Sequence, residues 1–400
     1  MNKKYATICA RELFVDQQFG SHQLPIYQSS SFYAPSMEEG IEVFKGEKKG
    51  YIYTRYGNPT IEAVQDKLAL LEGLDTSEQK SCLLTTSGMA AISTLVQSIL
   101  EKGQAVLIHP SLYGGTLEYF FSELKRAGHP IITADFRNID NLESKVNSHL
   151  RELGLIYYET PTNPGLELID IQAVSKVAKS AGIPTIVDNT FCTSYLQRPL
   201  DLGADFVIYS TTKFINGHGN SIGGAIVGND GDFMKKRVWK SLKLIGGTIS
   251  PFEAWLIAQG MKTLTLRMDK QCSNAQKLAD YLKAQTDKVK KVNYPGLSTH
   301  PQHQLAKQQM KQSGSMMSFV LKSDLNGTIQ FCDALGFSKA PTLGDTDTLL
   351  LHPATSSHIN VDKQIREATG IEDSLIRIST GIEDVHDLIE ELEKAFEVLS

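Results

Sequence analysis

Short apolar runs alternate with amphipathic stretches through the middle of the chain. Seven of these runs have the length and the β-branched or aromatic content of buried strands: CLLTT, AVLIHP, PIITADF, LGLIYYE, PTIVDN, DFVIYS and IGGAIVG. Segments with apolar residues at helical spacing lie between them, as in SGMAAISTLVQSIL and IQAVSKVAKSAG. The alternation predicts an α/β fold with a mainly parallel seven-stranded sheet and helices on both faces. Ligands of such sheets bind at the carboxyl ends of the strands, so the residues after each run are candidates for function.

The two ends of the chain show other patterns. Residues 1–58 have weak periodicity and many small polar residues, which predicts an extended arm that contacts a neighbouring subunit. Residues 59–250 begin with the helical stretch IEAVQDKLALLEG, which ends at Gly73, and they contain all the strand-like runs of the α/β domain. Residues 251–400 open with one long helical segment that can span both domains. They continue as a smaller α+β domain with the strands MMSFVLK and LIRIST and the helix DVHDLIEELEKAFEVL.

Composition narrows the class of protein. Hydrophobic residues make up 41% of the chain and charged residues 21%, which is typical of a folded protein. The net charge of -5 creates no field that would draw the chain to nucleic acid or an anionic membrane, so we expect a small-molecule partner. Five scattered cysteines without a CxxC pair, and no apolar run of about 18 residues, favour a cytoplasmic protein. The ten histidines show no metal-ligand spacing, so no metal is expected.

A lysine and an aspartate follow two of the predicted strands. Lys213 comes after DFVIYS and before the glycine-rich NGHGNSIGG, where an amine can form a Schiff base with a carbonyl cofactor. Asp188 closes PTIVDN, where a carboxylate can pair with a pyridinium nitrogen and keep the ring able to accept electrons. Taken singly, most lysines are solvated surface groups, and an aspartate at this place caps a turn or a helix. The two residues together favour a pyridoxal phosphate site.

A third element is the turn Ser87-Gly88-Met89, between CLLTT and the helix that follows it. Backbone N–H groups at a helix N-terminus can hold a phosphate, and a glycine permits its close approach. The alternative interpretation is an ordinary helix start capped by serine.

With these elements in this order, the chain resembles the trans-sulfuration family of fold-type I pyridoxal-phosphate-dependent enzymes, which includes methionine γ-lyases, cystathionine γ-lyases, cystathionine γ-synthases and O-acylhomoserine sulfhydrylases. The resemblance runs nearly end to end. Its motifs are YTRYGNPT, SGMAAI, LYGGT, ETPTNP, VDNTFCTSYLQRPLDLGAD, STTKFINGHGN, YPGL and RISTGIED. The resemblance implies the cofactor pyridoxal 5'-phosphate and a homotetramer made of two catalytic dimers.

The resemblance also implies roles for single residues. Tyr53 and Arg55 look like the pair that a neighbouring subunit donates to the cofactor phosphate. The other residues that surround the phosphate in the family, called the phosphate cup below, are matched by Gly88, Met89, Ser210 and Thr212. Tyr113 resembles the residue that stacks over the cofactor ring and exchanges protons near the γ-carbon, although an isolated tyrosine there reads as a core aromatic.

The substrate side of the site is implied in the same way. Asn163 resembles the partner of the ring hydroxyl, Arg377 the clamp for the substrate α-carboxylate, and Thr342 a further substrate-binding residue. If Arg377 is considered alone, the default interpretation is that it forms a surface ion pair. Lys213 and Asp188 complete the catalytic set, with Lys213 removing the α-proton and Tyr113 helping the γ-substituent to leave.

The resemblance leaves the reaction open. We rank α,γ-elimination on methionine, cystathionine or homocysteine first, giving 2-oxobutanoate, ammonia and a thiol. The alternative is γ-replacement, which makes homocysteine or cystathionine from an acylated homoserine. Methionine γ-lyases usually carry cysteine where this chain has Gly115, and serine where it has Thr342. A non-catalytic regulatory relative is the third reading, and the presence of Lys213, Asp188 and Tyr113 argues against it.

Overall fold

The structure is a computed structural model and describes residues 3–11, 14, 19–76, 81–357, 359, 363–368 and 370–399. The strands are β1 (Cys82–Thr85), β2 (Ala105–Ile108), β3 (Ile131–Thr133), β4 (Leu153–Glu159), β5 (Thr185–Asp188), β6 (Phe206–Tyr209), β7 (Gly224–Gly228), β8 (Val289–Asn293), β9 (Met316–Leu321), β10 (Leu349–Leu351) and β11 (Leu375–Ser379).

The first helices are α1 (Tyr5–Ala10), α2 (Met37–Lys45), α3 (Pro59–Leu71), α4 (Gly88–Ile99), α5 (Gly114–Glu118), α6 (Ile139–His149), α7 (Ile171–Ala181) and α8 (Thr193–Leu196). The later ones are α9 (Gly231–Phe233), α10 (Trp239–Ile245), α11 (Pro251–Met261), α12 (Leu264–Ala284), α13 (His303–Gln309), α14 (Leu325–Ala334), α15 (Lys363–Ala368) and α16 (Val385–Glu397). π-helical turns at Tyr119–Leu124 and Met234–Val238 continue α5 and join α9 to α10, and Pro353–Thr355 form a short 3-10 helix.

The large sheet has seven strands in the order β1-β7-β6-β5-β4-β2-β3. Neighbouring pairs among β2 to β6 are parallel, and β7 runs antiparallel to β1 and β6. Each strand-like run of the sequence contains one of these strands, so the predicted mainly parallel seven-stranded sheet is confirmed.

Alternate residues of the strands pack on opposite faces of the large sheet. Val106 and Ile108 of β2 belong to one core cluster with Ile92 and Leu95 of α4, whereas Leu107 belongs to another with residues of α6 and α7. Both faces are therefore covered, which explains the continuous apolar character of the strands. A third cluster joins α3, α11 and α12 to the sheet.

The C-terminal part forms a second sheet, with the antiparallel order β10-β11-β9-β8. Strands β9 and β11 lie in the two predicted runs, whereas β8 and β10 were not predicted. Helices α14 and α16 share a core cluster with this sheet. The small α+β unit expected from the sequence is therefore present.

The predicted long helical segment consists of two helices. Helix α11 ends at Met261 and α12 begins at Leu264, with Thr263 between them in a non-helical conformation. The carbonyl of Gly260, near the end of α11, accepts a hydrogen bond from Arg267 Nη2 at 2.9 Å. The break therefore lets a side chain of α12 satisfy a backbone group at the end of α11.

The N-terminal region is not wholly extended, contrary to expectation. Helix α1 packs against α3 and α12 of the same chain and buries Cys9. Helix α2 is capped by Ser36 and has no buried residue. The sequence reading missed both helices because they are short and lie among polar residues. The domain boundaries after residues 58 and 250 stay predictions.

None of the helices in the described ranges combines the length and the apolar content that a bilayer span requires. The five cysteines all lie in these ranges, and each is buried and free of a disulfide.

Candidate active site

A cavity of about 550 Å³ opens at the carboxyl edge of the large sheet. Both sheets contribute to it, since residues at the ends of β4, β5 and β6 face β11 and the loop before β10. The predicted site residues that line it are Gly88, Met89, Tyr113, Asn163, Asp188, Ser210, Thr212, Lys213 and Arg377. The cavity therefore lies at the edge of the sheet where the strand-end rule places a ligand.

Lys213 lies in the turn after β6 and is partly buried. Its Nζ donates a hydrogen bond to Thr342 Oγ1 at 2.8 Å. Burial and the positive charge of Arg377 lower the pKa of Lys213 to about 8, although the carboxylate of Asp345 opposes the shift. An amine with this pKa is partly neutral near pH 7, so it can act as a nucleophile and as a base.

Two carboxylates stand side by side at the ends of β4 and β5. Glu159 and Asp188 are register partners in the sheet, and both line the cavity. Asp188 accepts a hydrogen bond from the Thr190 N–H at 3.0 Å and one from the Tyr157 hydroxyl at 3.5 Å. Burial raises the pKa of Asp188, and hydrogen bonds from Thr190 and Tyr157 oppose the rise. A cationic ring nitrogen at Asp188 would favour its ionised form.

The turn before α4 is shaped to receive an anion. Ser87 caps α4, with its Oγ accepting a hydrogen bond from the Ala90 N–H at 3.1 Å. A Cβ on Gly88 would lie 2.9 Å from Ser210 Cβ, so only glycine lets these two walls approach as they do. The hydroxyl of Thr212 donates a hydrogen bond to the Gly223 carbonyl and accepts one from the Gly223 N–H, so this third residue beside the turn is held in place. Helix N-terminus and hydroxyls together suit a phosphate.

Tyr113 occupies the N-cap position of α5 and is 50% exposed. Its backbone N–H donates to the Glu159 carboxylate, at 2.9 Å from each oxygen. The ring lies over Gly115, since a Cβ there would be 2.7 Å from Tyr113 Cε1.

Arg377 links the two halves of the cavity. This buried arginine on β11 donates through Nη1 to Asn163 Oδ1 at 3.2 Å and through Nη2 to the Thr342 carbonyl at 3.0 Å. Burial lowers its pKa to about 10, which still leaves it cationic at neutral pH. Its Nε has no hydrogen-bond partner among the described residues, so one donor remains for a ligand.

The structure does not bring Tyr53 and Arg55 to this cavity. Arg55 donates to the Lys243 carbonyl, and its guanidinium carbon lies 5.4 Å from the centre of the Tyr53 ring. The Tyr53 side chain is 41% exposed. Arg55 is half-buried and lines a separate small pocket together with Trp239.

Sequence reasoning assigned no role to Glu159, Tyr157 or Thr190. Glu159 ends the predicted strand LGLIYYE, so the strand-end rule was a signal that could have identified it. Tyr157 and Thr190 act on Asp188 through hydrogen bonds that no local pattern reveals. Among the described residues, no group of three or more histidine, cysteine, aspartate or glutamate side chains could hold a metal ion.

The cavity residues fit pyridoxal phosphate. They supply an amine of lowered pKa, a carboxylate for a ring nitrogen, and a helix N-terminus with hydroxyls for a phosphate. The narrow approach between Gly88 and Ser210 and the unused donor of Arg377 are further features of a site built for an anionic ligand.

Known proteins resemble the chain over almost its whole length. The family model described as Cys/Met metabolism PLP-dependent enzyme matches residues 6–397. An L-methionine gamma-lyase of Fusobacterium nucleatum subsp. polymorphum is 41% identical over 381 residues, which are 95% of this chain and 94% of the relative. An O-succinylhomoserine sulfhydrylase of Pseudomonas aeruginosa is 39% identical over 92% of this chain and 89% of its own. A crystal structure of cystathionine gamma synthase from Xanthomonas oryzae pv. oryzae in complex with cystathionine has a TM-score of 0.91 and 35% identity, and it covers 99% of this chain and 98% of that one.

Proposed function

The chain belongs to the family of Cys/Met metabolism PLP-dependent enzymes, and on that premise we propose that it catalyses the α,γ-elimination of a sulfur amino acid. The substrate is methionine, cystathionine or homocysteine, and the products are 2-oxobutanoate, ammonia and a thiol. One observation carries the proposal: Lys213, Tyr113, Asp188 and Arg377 line a single cavity. Relatives named L-methionine gamma-lyase, at 41% and 40% identity, support the choice of reaction.

The enzyme depends on pyridoxal 5'-phosphate. The bound cofactor supplies a conjugated ring that withdraws electrons from the substrate. Asp188 would pair with the ring nitrogen, Asn163 with the ring hydroxyl, and Lys213 would hold the cofactor covalently. Gly88, Met89, Ser210 and Thr212 would hold the phosphate.

Single residues of the chain bind the substrate, remove its α-proton and protonate the leaving group. Arg377 binds the substrate α-carboxylate with its planar fork of donors, which fixes the amino acid in the cavity. Once the substrate amine has displaced it, the neutral amine of Lys213, favoured by its lowered pKa, would remove the α-proton. Tyr113, in the half-exposed position over the cavity, gives a proton to the leaving sulfur. Thr342 accepts a hydrogen bond from Lys213 and so orients its amine.

The second candidate is γ-replacement, in which a thiol or sulfide takes the place of the departing γ-substituent and the amino group is kept instead of being lost as ammonia. The O-succinylhomoserine sulfhydrylase relative favours it, with 39% identity over 370 residues. The glycine at position 115, which replaces the cysteine usual in methionine γ-lyases, points in the same direction. Both reactions use the same residues of the cavity.

A competition assay separates the two candidates. The cofactor-loaded enzyme is given L-methionine, with and without O-acetylhomoserine plus sulfide, and 2-oxobutanoate and homocysteine are measured. Release of 2-oxobutanoate from methionine establishes elimination. Homocysteine formation without release of the keto acid would instead assign the protein to the sulfhydrylases. Lys213→Ala should abolish turnover and the visible absorbance of the bound cofactor together, and turnover in this variant would refute the assignment.

We infer that the enzyme is a homotetramer of two catalytic dimers, in which Tyr53 and Arg55 reach the phosphate of a neighbouring subunit. The position of both residues outside the cavity of their own chain supports this arrangement, as does the exposure of Tyr53 and of Met37 and Phe44 on α2. Arg55→Ala and Lys213→Ala should each be inactive at limiting cofactor. Unfolding and refolding the two variants together should recover activity, since a mixed dimer contains one intact site. A mixture that stays inactive would contradict the shared site.

We infer a cytoplasmic location from the five buried, unpaired cysteines, because reduced thiols are typical of that compartment. Cell fractionation with activity measurement tests it, and activity confined to an extracellular fraction would contradict it.

A further inference from the structure

Packing alone does not fix the ring of Tyr113. About half of Tyr113 is exposed, and its ring lies over Gly115, which has no side chain to hold it. A ring with so much free surface takes its position from the backbone to which it is attached. The anchor of the Tyr113 backbone therefore decides where the phenol points.

That anchor comes from a distant part of the chain. The carbonyl of Tyr113 accepts hydrogen bonds from the N–H groups of Thr116 and Leu117 at 2.9 and 3.0 Å, so the residue begins α5. Its own side chain makes no capping hydrogen bond. The Glu159 carboxylate, 46 residues along the chain, accepts the Tyr113 N–H through both oxygens at 2.9 Å. A carboxylate at this end of a helix is also favoured by the helix dipole.

Glu159 is itself held firmly. It ends β4, which lies beside the central strand β5; its register partner is Asp188, and it is only 6% exposed. Burial and the charge of Asp188 raise the pKa of Glu159 well above its usual range, although the hydrogen bond from Tyr113 opposes the rise. A protonated carboxyl keeps an acceptor oxygen, so Glu159 can hold the Tyr113 backbone in either protonation state.

We propose that Glu159 is a positioning residue that sets the catalytic tyrosine: it fixes the start of α5 through the Tyr113 N–H and so places the phenol over the cavity. The proposal rests on the catalytic role of Tyr113 proposed above. It assigns to the end of β4 a task distinct from that of Asp188, which faces the cofactor. A rigid strand is a more exact support for a catalytic group than the loop that precedes α5.

The first test compares substitutions of Glu159. Glu159→Ala removes the acceptor and should lower kcat for elimination by about 10- to 100-fold, since a misplacement of about 1 Å costs on that order. KM should stay within about twofold, because Arg377 is untouched. Glu159→Gln keeps an acceptor oxygen and should recover most of kcat. Glu167→Ala is the matched control, since Glu167 lies in the loop after the same strand and pairs with Arg137 outside the cavity.

Equal losses in kcat for Glu159→Gln and Glu159→Ala would overturn the proposal, because the charge and not the acceptor would then matter. If Glu159→Ala does not fold, as judged by circular dichroism and cofactor absorbance, Glu159→Met fills the space without an acceptor. Glu159→Met should then show the predicted loss of kcat, and normal turnover in this variant would overturn the proposal.

A double-mutant cycle with Tyr113→Phe gives the decisive readout. If Glu159 acts through the phenol, Glu159→Ala should lower kcat by less than about threefold in the Tyr113→Phe background. Additive losses would overturn the inference while leaving Tyr113 catalytic. Full activity of Tyr113→Phe alone would instead remove the catalytic role of Tyr113 from the proposed function, and the inference would fall with it.

Discussion

Gly88→Ala should weaken cofactor binding selectively. The added Cβ would lie 2.9 Å from Ser210 Cβ and 3.2 Å from Ser210 Cα and Oγ. Carbon atoms in contact prefer about 3.5 to 4.0 Å, so Ser210 would have to retreat by about 0.5 to 1 Å. Ser210 lines the cavity, so it can move into the cavity when no phosphate is bound. A bound phosphate takes that space, so the strain appears when the cofactor binds.

Overpacking of this kind costs about 1 to 3 kcal/mol. If most of that cost falls on the bound state, the Kd for pyridoxal phosphate should rise by about 5- to 150-fold. Fluorescence titration of the apo protein with the cofactor measures it. Gly114→Ala is the control, since Gly114 lines the same cavity and its Cβ would meet only the Ser357 carbonyl, at 3.8 Å. Equal Kd values for wild type and Gly88→Ala would refute the assignment of this turn to the phosphate.

Other predictions concern the lysine and the tyrosine. The rate of cofactor uptake by the apo protein should rise with pH through a midpoint near about 8 and then level off, because the neutral amine of Lys213 is the reactive form; a flat profile in stopped-flow absorbance would contradict the lowered pKa. Arg377→Gln should raise this midpoint, since it removes a nearby positive charge, and Asp345→Asn should lower it, since it removes a negative one. Shifts of the same sign would refute the reasoning. Gly115→Ala should displace the ring of Tyr113 and lower kcat by about tenfold or more, and unchanged steady-state kinetics would show that the ring adapts freely.

Local pattern was enough for the architecture of the large sheet. Most of its strands are buried on both faces and form continuous apolar runs, whereas the edge strand β3 is partly exposed. The small sheet was harder, because β8 reads VKKVN with exposed lysines at its centre and β10 has three residues. The break between α11 and α12 depends on the distant Arg267, whose bonds to Gly260 and Phe214 no helical periodicity reveals.

Some features of the candidate site could likewise be predicted from the sequence, and others could not. Lys213 and Asp188 follow strands, so a rule about sheet edges could find them. Glu159 shares that position, but its role depends on a hydrogen bond to Tyr113 that spans 46 residues. The contact between Arg377 and Asn163 spans 214 residues. The sequence shows which residue types are present. Contacts between residues so far apart in the chain form only when both sheets have folded.

The hydrogen bonds around Thr342 join two events of the reaction. Arg377 holds the carbonyl of Thr342, and the hydroxyl of Thr342 holds the amine of Lys213. A substrate carboxylate that binds Nε, the donor of Arg377 without a partner among the described residues, would therefore join a chain of contacts that reaches the amine of Lys213 through Thr342. Replacement of the substrate carboxylate by an amide would therefore change the contacts around the lysine as well as the affinity for the substrate.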